Sequence, residues 1–363
     1  MVDYDALQAA GIANARDRAP LIDYLAGLGF SAADMVAAER RGRLFGLAGD
    51  TIQWSSPPSH SLAEAADTIG VTAAEAAQAW AVLGLTVPAP DDPALTDSDV
   101  EALRTWADVR ANVGADEALN YLRVLGSAME RLAEAESIMV RQSQPALDLD
   151  RTGDELATAQ AYRRVATFVP RVGAMIDVVH RQHLAAARTY FEGIRQVGSG
   201  SVACGVGFAD ISNFTVITRT VTAETLSTLL NAFGAAASDT VRAHDGRVIK
   251  FIGDAVMWVS PTPEGLATVA KALVHHPLAK TSGISVRAGL SFGHVLTIGG
   301  DYFGNPVNLA ARLVGVAEPG QILVAAPWYD IPANWPVAVQ DPLKLRGFDE
   351  PIVAYTVCDT DAD

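Results

Sequence analysis

Lysine is nearly missing from this chain of 363 residues: it occurs at positions 250, 271, 280 and 344, and nowhere before 250. Acidic residues number 42 against 27 basic ones, a formal net charge of −15. That balance repels a phosphate backbone and an anionic lipid surface, so it argues against a nucleic-acid partner and against membrane-surface binding. Cysteine is also scarce. Cys204 and Cys358 have no Cys or His neighbour at metal-ligand spacing, which leaves no disulfide framework and no thiolate metal site. Both lie in apolar stretches and are expected to pack as small hydrophobes. No run approaches ~18 uncharged apolar residues, so no membrane span is expected. The acidic start, Met1-Val2-Asp3-Tyr4-Asp5, lacks a signal-peptide pattern, and a cytoplasmic location follows as an expectation.

Apolar residues are plentiful, at 50%, with 19% charged, which suits folded cores rather than disorder. The length favours two domains. Composition changes near residue 200: residues 1–195 hold 17 Arg and no Lys, and every Lys comes later. The break falls at Gln196-Val197-Gly198-Ser199-Gly200-Ser201, a flexible composition. The expected division is a helical domain over 1–195, a linker over 196–201 and a second domain over 202–363.

The first part is rich in Ala and Leu at helical spacing, and reads as an all-helical bundle without a catalytic constellation. Leu122, Leu125, Met129, Leu132 and Met139 form one stripe at steps of three, four and seven. A second long helical pattern covers 154–195. Ser61–Leu85 has the spacing of a helix–turn–helix around Gly70-Val71-Thr72. No Lys or Arg occurs between Arg43 and Arg104, so a recognition helix there would have no grip on phosphate.

The second part alternates strand and helix signals. Strands are expected near 205–210, 247–252, 255–260, 284–292, 294–298, 321–325 and 351–358. Helices are expected near 223–243 with Thr222 as cap, at 264–275, and from Pro306 with Asn305 as cap. The order suggests an α+β fold, a ferredoxin-like βαββαβ sheet with helices on one face.

Three polar clusters interrupt this pattern. Asp210 ends an apolar strand, and Asp254 sits at a hairpin turn with Gly253. Two carboxylates brought together there make a hard-oxygen site suited to Mg²⁺ or Mn²⁺, although each alone better fits a turn cap. Lys250 lies four residues before Asp254, about 13 Å along an extended strand, too far for one compact site within one chain. Asp301, Asn308 and Arg312 form the third cluster. Asn308 and Arg312 share a helix face and suit a phosphate group, or else form an exposed polar stripe.

At Phe208-Ala209-Asp210-Ile211-Ser212-Asn213-Phe214-Thr215, Lys250-Phe251-Ile252-Gly253-Asp254-Ala255-Val256-Met257 and the run from Asp301 to Leu313, the sequence resembles the catalytic domain of class III nucleotidyl cyclases. The resemblance covers about residues 202–358, including a closing segment over 343–355. It implies an adenylyl cyclase that makes cyclic AMP and pyrophosphate from ATP. Two divalent metal ions per site, Mg²⁺ or Mn²⁺, would be held by Asp210 and Asp254. Lys250 and Asp301 would read the adenine edge, Asn308 would orient the ribose, and Arg312 would stabilise charge at the α-phosphate. Main-chain amides of Ile211, Ser212, Asn213, Phe214 and Thr215 would cradle the outer phosphates, with Arg346 at a terminal phosphate. In that family the metal pair and the base readers come from different subunits, which implies a homodimer with two equivalent sites. Many relatives carry glycine where this chain has Ser212 or Asn213. Asparagine tolerates left-handed backbone, so the loop is expected to persist.

Guanylyl cyclase and a catalytically silent nucleotide-binding sensor are the alternatives. The Lys250/Asp301 pair favours adenine, and all six polar positions are filled. Gly299-Gly300-Asp301 superficially matches a diguanylate-cyclase hairpin, but a helix follows within a few residues. The first part resembles the helical autoinhibitory domain of mycobacterial-type soluble cyclases. That implies a regulatory role, and the helical pattern running into the Gly/Ser break points to the segment around 185–201 as the switch. His180 and His183 near it suggest a pH input, or else are exposed or packed histidines with no signalling role, and a small apolar ligand is a further expectation.

Overall fold

The computed structural model describes residues 2–53, 56–193, 200–325 and 337–358. The chain divides into two compact units, Met1–His183 and Leu184–Asp363. Most of the expected linker, 196–201, lies outside the described residues.

The first unit is helical. Its first core gathers α1 (Tyr4–Ala9), α2 (Ala19–Gly27), α3 (Ala32–Arg40) and α4 (Leu47–Gln53) around Leu7, Leu21, Ile22, Leu25 and Met35. Its second core gathers α5 (Leu62–Ile69), α6 (Ala73–Val82), α7 (Asp97–Val113) and α8 (Ala115–Ser143) around Leu62, Trp80, Leu103 and Trp106. The short α9 (Leu149–Thr152) leads to α10 (Glu155–Ala166), which returns to the first core through Ala159. Four helices begin with reciprocal caps: Ser31 with Asp34, Ser61 with Glu64, Thr72 with Glu75, and Thr96 with Asp99. Each satisfies two orphan backbone donors, worth about 1 kcal/mol.

Two expectations for this unit change. The pattern over 154–195 is two helices, α10 and α11 (Val169–Gly193), because Pro170 cannot continue an interior turn. The stripe on α8 is buried at Leu122, but Met129, Leu132 and Met139 are exposed. Its neighbour α7 has 17 residues against 29 in α8 and is too short to cover it. The α5–Gly70–α6 segment does form a helix–turn–helix, with Gly70 left-handed at φ 76°.

The second unit is built on one mixed sheet. In chain order its elements are β1 (Ser201–Ile211), α12 (Phe214–Thr220), α13 (Ala223–Ala243), β2 (Arg247–Ile252), β3 (Ala255–Ser260), α14 (Pro263–Val274) and α15 (Pro277–Thr281). There follow β4 (Val286–Ile298), β5 (Asp301–Phe303), α16 (Asn305–Val316), β6 (Ile322–Ala325), β7 (Val337–Val339) and β8 (Ala354–Val357). The strand order is β2-β3-β1-β4-β6-β8-β7, with β5 paired to β4 as a hairpin. Among the described strands only β4 and β6 pair in parallel. Residues expected as two strands, 284–292 and 294–298, form the single β4, which pairs with β1 from end to end.

Helices cover both faces, where one was expected. Strand β1 is apolar at both parities, so neither face can be left to water. Val202, Cys204, Val206 and Phe208 meet Ala310 and Val314 of α16 on one face. Ala209 and Ile211 meet Phe233 and Val241 of α13 and the apolar side of α14 on the other. Gly289 lets α16 lie directly on β4: a Cβ there would come 2.3 Å from the Val314 nitrogen. The start of α16 also differs from expectation. Gly304 is the capping position, and Asn305 and Pro306 are the first helical residues. The Gly299-Gly300 turn is a hairpin between β4 and β5, so the helix that follows does not displace it.

Candidate active site

Asp210 and Asp254 meet because β1 and β3 are neighbours in register. Asp210 pairs with Ala255, the residue after Asp254. Asp254 lies in a two-residue hairpin after Gly253, whose φ of 62° is the left-handed first position such a turn needs. Both carboxylates line a cleft of about 360 Å³ together with Ile211, Ser212, Asn213, Phe214 and Thr215. Asn213 is left-handed, at φ 59°, and ends β1 by turning the chain into α12. Ser212 is buried, and its hydroxyl has no hydrogen-bond partner.

Arg287 also lines this cleft, and the sequence reading missed it. It stands opposite Asp210 on β4, and directly paired residues of antiparallel strands project to the same face. Its Nε donates to Asp210 Oδ1 at 2.7 Å and its Nη2 to Oδ2 at 3.1 Å. Its Nη1 donates to the carbonyls of Gly315 and Ala317 at the end of α16. The signal available was a lone arginine in the apolar run Val286-Arg287-Ala288-Gly289-Leu290, a position that needs a partner once buried.

One guanidinium does not neutralise two carboxylates. Burial pushes the Asp254 carboxyl above its ordinary range, and the nearby Asp210 charge pushes in the same direction. Backbone N–H groups and Arg287 oppose these effects without cancelling them. A half-buried pair of oxygen donors with surplus negative charge fits a hard divalent cation, whose remaining positions water and phosphate oxygens can fill. Among the described residues no group of three or more His, Cys, Asp or Glu gathers.

A second group forms elsewhere in the unit. Lys250 donates to Asp301 Oδ2 across the sheet, and the Tyr302 N–H donates to Asp301 Oδ1 at 2.8 Å. One carboxylate thus holds a cation and a backbone donor, which fixes its orientation. Asn308 and Arg312 lie one turn apart on the exposed side of α16, while Leu309, Ala310, Leu313 and Val314 face the core. None of these four polar residues lines the Asp210–Asp254 cleft. Arg346 is exposed in a turn and also lies outside that lining.

With this geometry in place, comparison with known proteins decides the family. Residues 199–358 match the adenylate and guanylate cyclase catalytic domain, and residues 4–187 match the adenylate cyclase regulatory domain. The chain belongs to the adenylate cyclase family. An uncharacterised protein of Mycobacterium tuberculosis is 57% identical over 99% of this chain and 95% of its own length. The adenylate cyclase of Streptomyces coelicolor is 32% identical, over 72% of this chain and 68% of that one. A pH-sensitive adenylate cyclase of Mycobacterium tuberculosis is 34% identical, over 62% of this chain and 57% of that one. Among solved structures, the adenylyl cyclase CyaB of P. aeruginosa covers 45% of this chain and 97% of its own, at 25% identity and a TM-score of 0.41. The described residues contain no helix long and apolar enough to cross a membrane.

Proposed function

We propose that this cyclase converts ATP to 3′,5′-cyclic AMP and pyrophosphate, in a homodimer whose two equivalent sites each draw residues from both copies. The observation that carries the reading is the separation of the polar residues within one chain. Asp210, Asp254 and the 211–215 backbone share one cleft, while Lys250, Asp301, Asn308 and Arg312 lie outside it. A second copy that brings the latter group to the former completes a site, and two-fold symmetry then makes two. Exposed apolar side chains favour such a contact: Phe251 and Ile252 follow Lys250, and Leu296, Ile298 and Phe303 flank the Asp301 hairpin.

In this reading Lys250 donates to the adenine edge and Asp301 accepts from the exocyclic amine. Asn308 orients the ribose so that its 3′-oxygen faces the α-phosphorus. Arg312 stabilises the charge that develops on the α-phosphate oxygens as the ring closes and pyrophosphate leaves. Main-chain N–H groups from Ile211 to Thr215 hold the outer phosphates, with Arg346 assigned to a terminal phosphate. Divalent cations held by Asp210 and Asp254, Mg²⁺ or Mn²⁺, would lower the pKa of the 3′-hydroxyl and screen the triphosphate. Positioning and charge stabilisation carry the rate, since no covalent intermediate on the protein is needed.

Residues 1–195 are then the regulatory domain, acting through the segment around 185–201 on the catalytic domain over 202–363. The pH-sensitive relative makes proton concentration the first input to try, with His180 and His183, exposed on α11, as the groups to replace. The test of function is metal-dependent release of cyclic AMP by purified full-length protein, with ATP and GTP compared side by side. ATP is expected to win. A preference for GTP would overturn the base assignment, and no turnover of either would overturn the enzyme reading. Removal of residues 1–200 is expected to change specific activity, and an unchanged value under all conditions would overturn the regulatory role.

A further inference from the structure

The two residues assigned to the base stand on strands that each have a single pairing partner. Lys250 is on β2, an edge strand whose register against β3 shifts between Val248 and Lys250. Such an irregularity re-aims a side chain, so the pleat alone does not fix where Lys250 points. Asp301 opens β5, three residues held by one hairpin partner. A reading of the base edge needs both groups held to within a fraction of an ångström. Support has to come from outside the ladder.

It comes from the end of α11. Tyr190 and Phe191 pack on the sheet face formed by Val202, Cys204, Val206 and Tyr302. Their rings meet edge to face, 5.6 Å apart at 83°. Together they cradle Arg247, whose guanidinium carbon lies 4.9 Å from the Tyr190 ring centre and 5.8 Å from that of Phe191. Arg247 opens β2, three residues before Lys250. Tyr190 also packs against the cluster that includes Cys204 and Tyr302. Tyr302 is the neighbour of Asp301, and its N–H is the backbone donor that orients that carboxylate. One aromatic pair therefore stacks on the residue that opens β2 and packs against the cluster that holds Tyr302 of β5. Burial pushes the Tyr190 phenol above its ordinary range, and its hydroxyl is buried without a hydrogen-bond partner. The ring, rather than the hydroxyl, makes the useful contact.

The geometry points to Tyr190 as a positioning residue for nucleotide selection, acting through Arg247 on Lys250 and through Tyr302 on Asp301. This rests on the assignment of Lys250 and Asp301 to the base. Tyr190 touches no substrate. It stacks on the cation that begins β2 and wedges against the strand that carries Asp301, which fixes the spacing of donor and acceptor.

The test measures selection by binding, so it needs no turnover. ATP and GTP, each with Mn²⁺, compete with a fluorescent ribose-labelled nucleotide on full-length protein, and the ratio of their dissociation constants is read. That ratio does not depend on the fraction of protein that is folded. Tyr190→Ala is expected to narrow the preference for ATP roughly 2–30-fold, the range over which positioning residues modulate coupling. Arg247→Met, which keeps the stem and removes the cation, is expected to narrow it as well. Tyr190→Phe is expected to retain it, and Lys250→Ala to abolish it. If Lys250→Ala abolishes the preference while Tyr190→Ala and Arg247→Met leave it intact, the positioning role is wrong and the base assignment stands. If Lys250→Ala also leaves it intact, the base assignment is wrong and the positioning role goes with it.

Discussion

The carboxylates of the two units are used in opposite ways. In the first unit acidic side chains are satisfied close at hand. The carboxylates of Asp34, Glu64 and Glu75 each accept from the backbone N–H of the capping residue three positions earlier, and hydrogen bonds from that residue's hydroxyl and backbone hold them below the ordinary range. Others close ion pairs, as Glu39 and Glu155 do on Arg18 at 2.7 and 2.6 Å. In the second unit Asp210 and Asp254 line one cleft from a strand end and a hairpin, and the single guanidinium of Arg287 is bonded to Asp210. The Asp254 carboxyl moves the other way, upward, through burial and the charge of Asp210. A carboxylate whose partner is local builds a helix end. A pair left short of positive charge fits the cation site proposed above.

The largest effect that could break this contrast is at Asp210. Asp210→Ala is expected to lower metal-dependent turnover at least about 100-fold while the protein stays folded. If Asp210 were only a turn cap, the cost would appear as about 1 kcal/mol of stability, with turnover intact. Next comes Arg18→Ala, which leaves Glu39 and Glu155 facing each other without a counter-ion. It is expected to cost roughly 1–3 kcal/mol in urea unfolding of the first unit. A value near zero would mean that the triad adds nothing. Thr96→Ala removes one cap and should cost about 1 kcal/mol by the same measurement.

The smallest effect concerns pH, and its sign differs between the units. An unfolded aspartate titrates near about 3.9. Folded Asp254 is raised above that, so the metal-free protein loses stability as pH rises through the folded value. Asp254→Asn should therefore raise the thermal midpoint in EDTA at pH 7, with the gain shrinking toward pH 4. Asp34 is lowered by Ser31, so its contribution is present above about 3.9 and lost as pH falls through the folded value. Ser31→Ala should cost stability at pH 7 and less in acid. Two curves bending the same way would contradict the contrast.

The same division explains what could be read from the chain alone. Turn and cap chemistry is local, so β2, β3 and α13 fall where Asp245-Gly246, Gly253-Asp254 and Thr222 place them. The positions of the polar clusters were legible for the same reason, since each is a short motif. What could not be read depends on distant partners. Arg287 acquires meaning only when β4 lies beside β1, 77 residues from Asp210 in sequence. That α16 covers the second sheet face depends on Gly289 admitting it, which periodicity does not express. The stripe on α8 was real as an amphipathic pattern, but it carried no information about how far its neighbours extend.

The central claim, that each site is shared between two copies, has one direct measurement: turnover of Asp210→Ala and Arg312→Ala separately, then mixed in equal amounts after subunit exchange. Each alone is expected to be inactive. In the mixture half of the dimers carry one intact site, so about a quarter of wild-type activity should return. A mixture as silent as its components, with heterodimers demonstrably formed, would contradict the shared site.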